Sequence, residues 1–285
     1  MNIKKLGRLV VPYLIWMCVL VGLPLIIMVV LTFLKSNALD LSTAEFSFDS
    51  WRLLFSDLTV RTALKNSVVN AGIATIICFI IGYPVAYIVA NSNFSNKLII
   101  LVLTVIPMWS NSLLRNNAIA NLLSERSIVN DVLNNIGLSF IWPIRGVFYD
   151  SGFSPAVVIG LVLTYLPFMI LPIYTVLEKI DKSLLEASMD LGANKVKTFF
   201  RVTFPLSIKG VTTGIIMVFL PSFSGFAIPK ILGSGNLVFI GTLIDSRFMN
   251  RNYNFGSLLS LVILLIIFGS MALIFKVDKE GETLI

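Results

Sequence analysis

An all-α polytopic membrane protein with six transmembrane helices is the architecture that this sequence predicts. Of its 285 residues, 56% are hydrophobic and only 13% are charged, with a mean hydropathy of +0.91. A soluble domain carries about 25% charge. Six uncharged runs are long enough, or nearly so, to cross a bilayer, which takes about 20 residues. In lipid each run must satisfy its own backbone, and a helix does so within one segment.

The runs are Leu9 to Leu34, Ser67 to Ser95, Leu98 to Leu114, Pro155 to Leu177, Val211 to Pro229 and Phe255 to Phe275. The first follows Lys4, Lys5 and Arg8, like the basic region of a signal peptide. Its apolar stretch is too long for one and no small-residue cleavage site follows, so it reads as an uncleaved first span. The third is short and contains Pro107. Prolines also fall at 12, 24, 84, 167, 172 and 221; each removes a backbone hydrogen bond and tends to kink its helix.

Between the spans, the Lys35 to Asn66 interval contains the amphipathic run FSFDSWRLLF, and Arg115 to Ser154 contains SIVNDVLNNIGLSFIWPI. Short interfacial helices fit both. The net charge of +7 lies in these short intervals, where it sets topology and gives no nucleic-acid footprint. Basic residues divide nearly evenly between the two sides. Orientation therefore rests on the unopposed trio Lys4, Lys5 and Arg8, which places both termini in the cytoplasm.

The one long polar interval on the inner side is Glu178 to Leu206, EKIDKSLLEASMDLGANKVKTFFRVTFPL. Ser183 and Glu186 have the spacing of a capping box. Leu184, Ala187, Ser188 and Leu191 recur at i, i+3, i+4, i+7 on one face, and the two small residues permit close approach by another surface. Gly192 stands where a helix ends in a left-handed residue. A second helix is predicted from Asn194 to about Thr203, stopped by Pro205. The pattern predicts a helical hairpin presented to a soluble partner.

This interval is similar to the EAA loop of ABC importer permeases, E-A-A-x3-G-x9-I-x-L-P. Glu186, Ala187, Gly192 and Pro205 match, with Ser188, Val202 and Phe204 as conservative departures. The resemblance implies that Glu186, Ala187, Ser188, Gly192, Ala193 and Pro205 couple the chain to an ATP-hydrolysing subunit, while Glu186 can also cap its own helix. PMWSNSLLRNNA from Pro107 and LPFMILPIYTVLEKIDKSLLEASMDLGA from Leu166 further resemble the spermidine/putrescine importer permeases. That family implies a six-span type I fold. It also implies a second homologous permease, a cytoplasmic ABC ATPase dimer carrying ATP and Mg2+, and an extracytoplasmic polyamine-binding protein. Close relatives carry thiamine, iron or sulfate instead. On this reading residues 1–61 hold the N-terminus, first span and outer loop. Residues 62–275 form the permease domain with its coupling loop at 178–206, and residues 276–285 form a cytoplasmic tail.

What the chain lacks agrees with that division of labour. The six runs contain no Asp, Glu, Lys or Arg, the residues that mark ion-coupled carriers and proton relays. There is no histidine, and no phosphate-binding G-x-x-x-x-G-K-[ST]. Cys18 and Cys78 lie in apolar runs and read as small hydrophobes. A catalytic role, a cofactor and a metal are therefore not expected on this chain. A channel or carrier and a membrane-embedded enzyme stand as the competing readings. A polycation would be passed along π-faces and polar groups. The candidates are Tyr83, Tyr87, Trp109, Asn111, Tyr165, Phe223 and Phe226, with Ser222 as a polar partner, and Asp150 and Asp245 as outer-loop charges at the mouth.

Overall fold

The apolar runs become helices whose burial ranges from almost none, in Val11–Thr32, to more than half, in Pro155–Glu178. A computed structural model describes residues 11–35, 44–92, 97–124, 127–136, 152–233 and 237–277. Helix α1 is Val11–Thr32, and a short antiparallel pair follows, β1 Leu34–Lys35 with β2 Glu45–Phe46. Next come α2 Asp49–Ser56, α3 Leu58–Asn91, α4 Lys97–Trp109, α5 Ser112–Leu122 and α6 Ile128–Asn135. The remainder is α7 Pro155–Glu178, α8 Lys182–Asp190, α9 Lys195–Thr198, α10 Phe204–Ser224, α11 Ala227–Leu232, α12 Ile240–Met249 and α13 Tyr253–Val277.

Five helical stretches are long and apolar enough to cross a membrane. A sixth forms if α4 and α5, bent by 90° at Ser110 and Asn111, count as one broken span. The third run is thus not a straight helix ending at Leu114. Its bend is held at both sides: the Arg115 guanidinium donates to the Pro107 carbonyl, and Asn111 Oδ1 accepts from the Leu113 amide at 2.9 Å. The second run begins earlier than hydropathy indicates, because α3 continues outward through Arg61 and Lys65. The fifth ends earlier. Its helix stops at Ser224, Gly225 is extended, and Phe226 opens the separate α11.

Prolines do less than expected. Helices continue through Pro84, Pro167 and Pro172. Pro24 and Pro205 each follow a π-turn, Cys18–Gly22 and Phe199–Thr203. A proline ring clashes with the carbonyl four residues back, and the wider turn absorbs that clash without ending the helix.

The chain divides into two compact units. The first draws on Met1–Arg61 and Leu243–Ser270. Within it, Asn254 Nδ2 donates to the carbonyls of Leu31 (3.1 Å) and Leu34 (2.7 Å), and Arg247 pairs with Asp57 at 3.3 Å over the Phe255 ring. The second unit draws on Thr62–Thr242 and Met271–Ile285. Its core centres on α7, where Leu161, Met169, Ile170 and Ile173 are fully buried. Helix α10 lies close along α7: a Cβ on Gly210 would stand 2.8 Å from the Pro172 carbonyl, and one on Gly214 would meet Met169 Sδ at 2.8 Å. Such small residues allow the backbone contact that drives helix association in lipid. At one end of α3, Asn66 and Asn70 donate to the carbonyls of Val238 and Gly152, and Ser67 Oγ accepts from the Ile240 amide, so three chain segments share one buried polar knot.

Candidate functional site

Residues 178–206 form the expected helical hairpin, with a different first cap. Asp181, not Ser183, is the N-cap of α8; its Oδ1 accepts from the Ser183 amide at 2.9 Å. Both residue types cap well, and the structure starts the helix at Lys182. The Ser183 backbone N–H, followed by its side chain, holds the Asp181 carboxyl below its ordinary pKa. Glu186 is exposed, one turn into the helix.

The turn closes α8 through two backbone bonds, Ala193 N–H to the Ser188 carbonyl (3.1 Å) and Gly192 N–H to the Met189 carbonyl (2.9 Å). They form a Schellman motif, which places C′ in the left-handed region. Gly192 takes φ +83° there, with nothing within 4 Å of where a Cβ would stand. The return arm starts at Asn194, whose Oδ1 accepts from the Lys197 amide at 2.8 Å. Ser188 Oγ and Thr198 Oγ1, 3.1 Å apart, tie the two arms.

The arm does not end at Pro205, which is a correction to the sequence expectation. It continues through the π-turn straight into α10, so α9, the turn and the span form one rod, Lys195–Ser224. Phe199 in the π-turn meets Tyr83 (5.8 Å between ring centres) and Tyr87 (5.2 Å) of α3 edge-on, and Phe204 lies 5.6 Å from Tyr83. Tyr83 hydroxyl and Ser207 Oγ are 2.8 Å apart. The hairpin is thus seated on α3 as well as on its own span.

Its outer face is unpartnered among the described residues. Leu191 is 90% exposed, Val196 65% and Phe200 64%. Between the arms lies a cleft of about 400 Å³, lined by Leu184, Ala187, Ser188 and Leu191 on one side and by Lys197 and Arg201 on the other. The exposed surface is apolar with a basic edge.

The candidate pathway residues do not form one cluster. Tyr83 and Phe223 are buried in packing, and Phe223 stacks on Phe219 with centroids 6.0 Å apart. Tyr87 joins the hairpin's aromatic seat. Trp109, 80% exposed, and Asn111, whose side chain caps α5, flank the 90° bend. Tyr165 is half-buried beside Phe168, and Phe226 is 48% exposed. Ser222 is buried, with no hydrogen-bond partner for its Oγ among the described residues. Asp245 stands on helix α12, not in a loop, and Asp150 lies outside the described residues. Sequence reasoning missed the Arg115 tie and the knot of Asn66, Ser67 and Asn70. Polar residues at i, i+1 and i+4 in an otherwise apolar stretch were the available signal.

Several apolar spans, with a small-residue hairpin exposed before the penultimate one, define a multi-pass membrane subunit made to seat another protein. The chain belongs to the family of binding-protein-dependent transport system inner membrane components, whose family model matches residues 82–278. It is similar to the spermidine/putrescine transport system permease proteins PotB of Haemophilus influenzae and Escherichia coli. The first is 36% identical over 247 residues (86% of this chain, 84% of that protein), the second 35% over 261 (91% and 92%). Its fold matches a chain of a bacterial alginate ABC transporter crystallised with an alginate pentasaccharide-bound periplasmic protein. That match has a TM-score of 0.77 at 16% identity and covers 96% of this chain and 94% of that one.

Proposed function

We propose that this chain is one permease half of an ATP-driven polyamine importer, receiving spermidine or putrescine from an extracytoplasmic binding protein. ATP and Mg2+ are bound by a separate ATPase dimer, and a second homologous permease completes the pathway. Both termini lie in the cytoplasm, on the side of the hairpin. The observation that carries the reading is the exposed hairpin, with Leu191 bare at its tip and its return arm continuous with a membrane span. A force applied at Glu186 and Leu191 has a direct mechanical route into α10. Identity above a third to spermidine/putrescine permeases over most of the chain supports the cargo.

An uncharged, aromatic route suits this division of labour, because it passes a cation without trapping it and leaves discrimination to the external receptor. Trp109 and Phe226 are the exposed aromatic candidates for the pathway, with Tyr87 and Tyr165 half-buried. The test is uptake of labelled spermidine and putrescine by vesicles holding the purified complex. Glu186→Lys and Gly192→Asp should abolish it while the chain still inserts. Normal uptake by both would remove the coupling role, and uptake by the chain without any ATPase would favour a channel.

A further inference from the structure

Helices α7 and α10 meet through glycines, but one end of α3 is held by side-chain amides and a hydroxyl. Asn66, Ser67 and Asn70 are at most 2% exposed. Asn70 grips one segment with both sides of its amide: Nδ2 donates to the Gly152 carbonyl at 2.7 Å, and Oδ1 accepts from the Ser154 amide at 3.0 Å. Ser154 is itself the N-cap of α7. Asn66 and Ser67 hold a second segment. Asn66 Nδ2 donates to the Val238 carbonyl at 2.9 Å, and Ser67 Oγ accepts at 2.9 Å from the amide of Ile240, the first residue of α12. The two halves are joined. Asn70 Nδ2 also donates to the Asn66 carbonyl at 2.8 Å, and Gly152, at φ +72°, lies so close that a Cβ on it would overlap Asn66 Oδ1.

The first amides of a helix have no partner within it. Here α3 supplies partners from its own side chains, so α7 and α12 both begin in register with one helix. Hydrogen bonds between membrane helices add little stability each, but a satisfied buried network selects one arrangement and holds it rigid. Helix α3 then runs unbroken to the seat of the hairpin. Asn70 and Tyr83 stand about 20 Å apart along its axis, and Tyr83 meets Phe199, Phe204 and Ser207. Knot, helix and seat all belong to the second compact unit.

We propose that Asn70, with Asn66 and Ser67, is a positioning residue of the transport cycle: the knot makes the starts of α7 and α12 one cooperative unit, which α3 carries together with the hairpin seat. This role rests on the importer reading, under which the knot lies at the extracytoplasmic end of α3 and the seat at the ATPase end. A displacement of the seat then reaches both helix starts at once.

Two measurements on the purified complex in lipid vesicles test it. The first is amide exchange, read by mass spectrometry on peptides covering the starts of α7 and α12. Asn70→Leu removes bonds to Gly152 and Ser154 only, yet exchange should accelerate at both starts, by roughly tenfold for a lost buried hydrogen bond. Acceleration at α7 alone would reduce the knot to separate local caps and overturn the proposal. Ser67→Ala gives the converse reading, from α12 to α7, should the first variant assemble poorly. Val218→Ala, a fully buried truncation in α10 outside the knot, is the reference for plain loss of stability. The second measurement is spermidine uptake per ATP hydrolysed, which should fall several-fold in Asn70→Leu and hold in Val218→Ala. An unchanged ratio in Asn70→Leu, or an equal fall in Val218→Ala, would also overturn the proposal. Absence of uptake by the native complex would remove the importer reading itself, and the positioning role with it, whatever the exchange shows.

Discussion

Leu191 separates folding from docking more cleanly than any other side chain in the hairpin. At 90% exposure it contributes almost nothing to the chain's own core. Covering a leucine with a partner contributes about 2 kcal/mol, close to 30-fold in affinity. Leu191→Ala should therefore leave thermal stability unchanged and weaken ATPase binding by roughly that factor, as titration of the purified subunits would read. Asp181 acts on the folded state. Its interaction with Ser183 favours the carboxylate, so the cap is complete above the ordinary carboxylate pKa and is lost as pH falls through the lowered value. Asn caps equally well without titrating. Amide exchange over Lys182–Asp190 should accelerate on acidification in the native chain, and Asp181→Asn should flatten that dependence.

At the scale of elements, the seat of the hairpin decides whether motion at its tip reaches the bundle. Phe199 belongs to the return arm and touches two rings of α3, so it joins elements far apart in sequence. Phe199→Ala removes a half-buried ring and two edge-on pairs, costing about 2 kcal/mol. The expected signature is a split: the ATPase still binds and hydrolyses, while uptake per ATP falls, with Phe199→Leu intermediate. Uptake and hydrolysis falling in strict proportion would make Phe199 a stability residue only. This seat was hidden from the sequence for a physical reason. Gly192 and the helical face of Leu184, Ala187 and Leu191 follow local rules of turn and period, and they were legible. The π-turn was not, because a proline reads as a stop unless the preceding register is known. Tyr83 and Phe223 look like any other aromatic in a span until tertiary packing buries them, and Trp109 likewise until the bend leaves it bare. The polar start of α3 escaped because hydropathy ends with the bilayer and the helix does not.

For the whole molecule, the arrangement of spans makes opposite surfaces of the membrane chemically distinguishable through lysines. Lys35 follows α1 and its side chain is 68% exposed. Lys182, Lys195 and Lys197 lie exposed on the hairpin. On the proposed orientation, with both termini in the cytoplasm, an odd number of crossings precedes Lys35 and an even number precedes the hairpin. The two groups should then face opposite compartments. A membrane-impermeant amine reagent should modify Lys35 in right-side-out vesicles and the hairpin lysines in inside-out vesicles, as peptide mass spectrometry would show. Adding the ATPase should protect Lys197, which borders the cleft with Leu184 and Leu191, and leave Lys35 unaffected. Labelling of both groups from one side would break the six-span topology, since the 90° turn between α4 and α5 would then be a re-entrant loop that returns to its own face. Protection of Lys197 with an intact topology would tie the exposed apolar tip, the rod into α10 and the energy source into one mechanical unit.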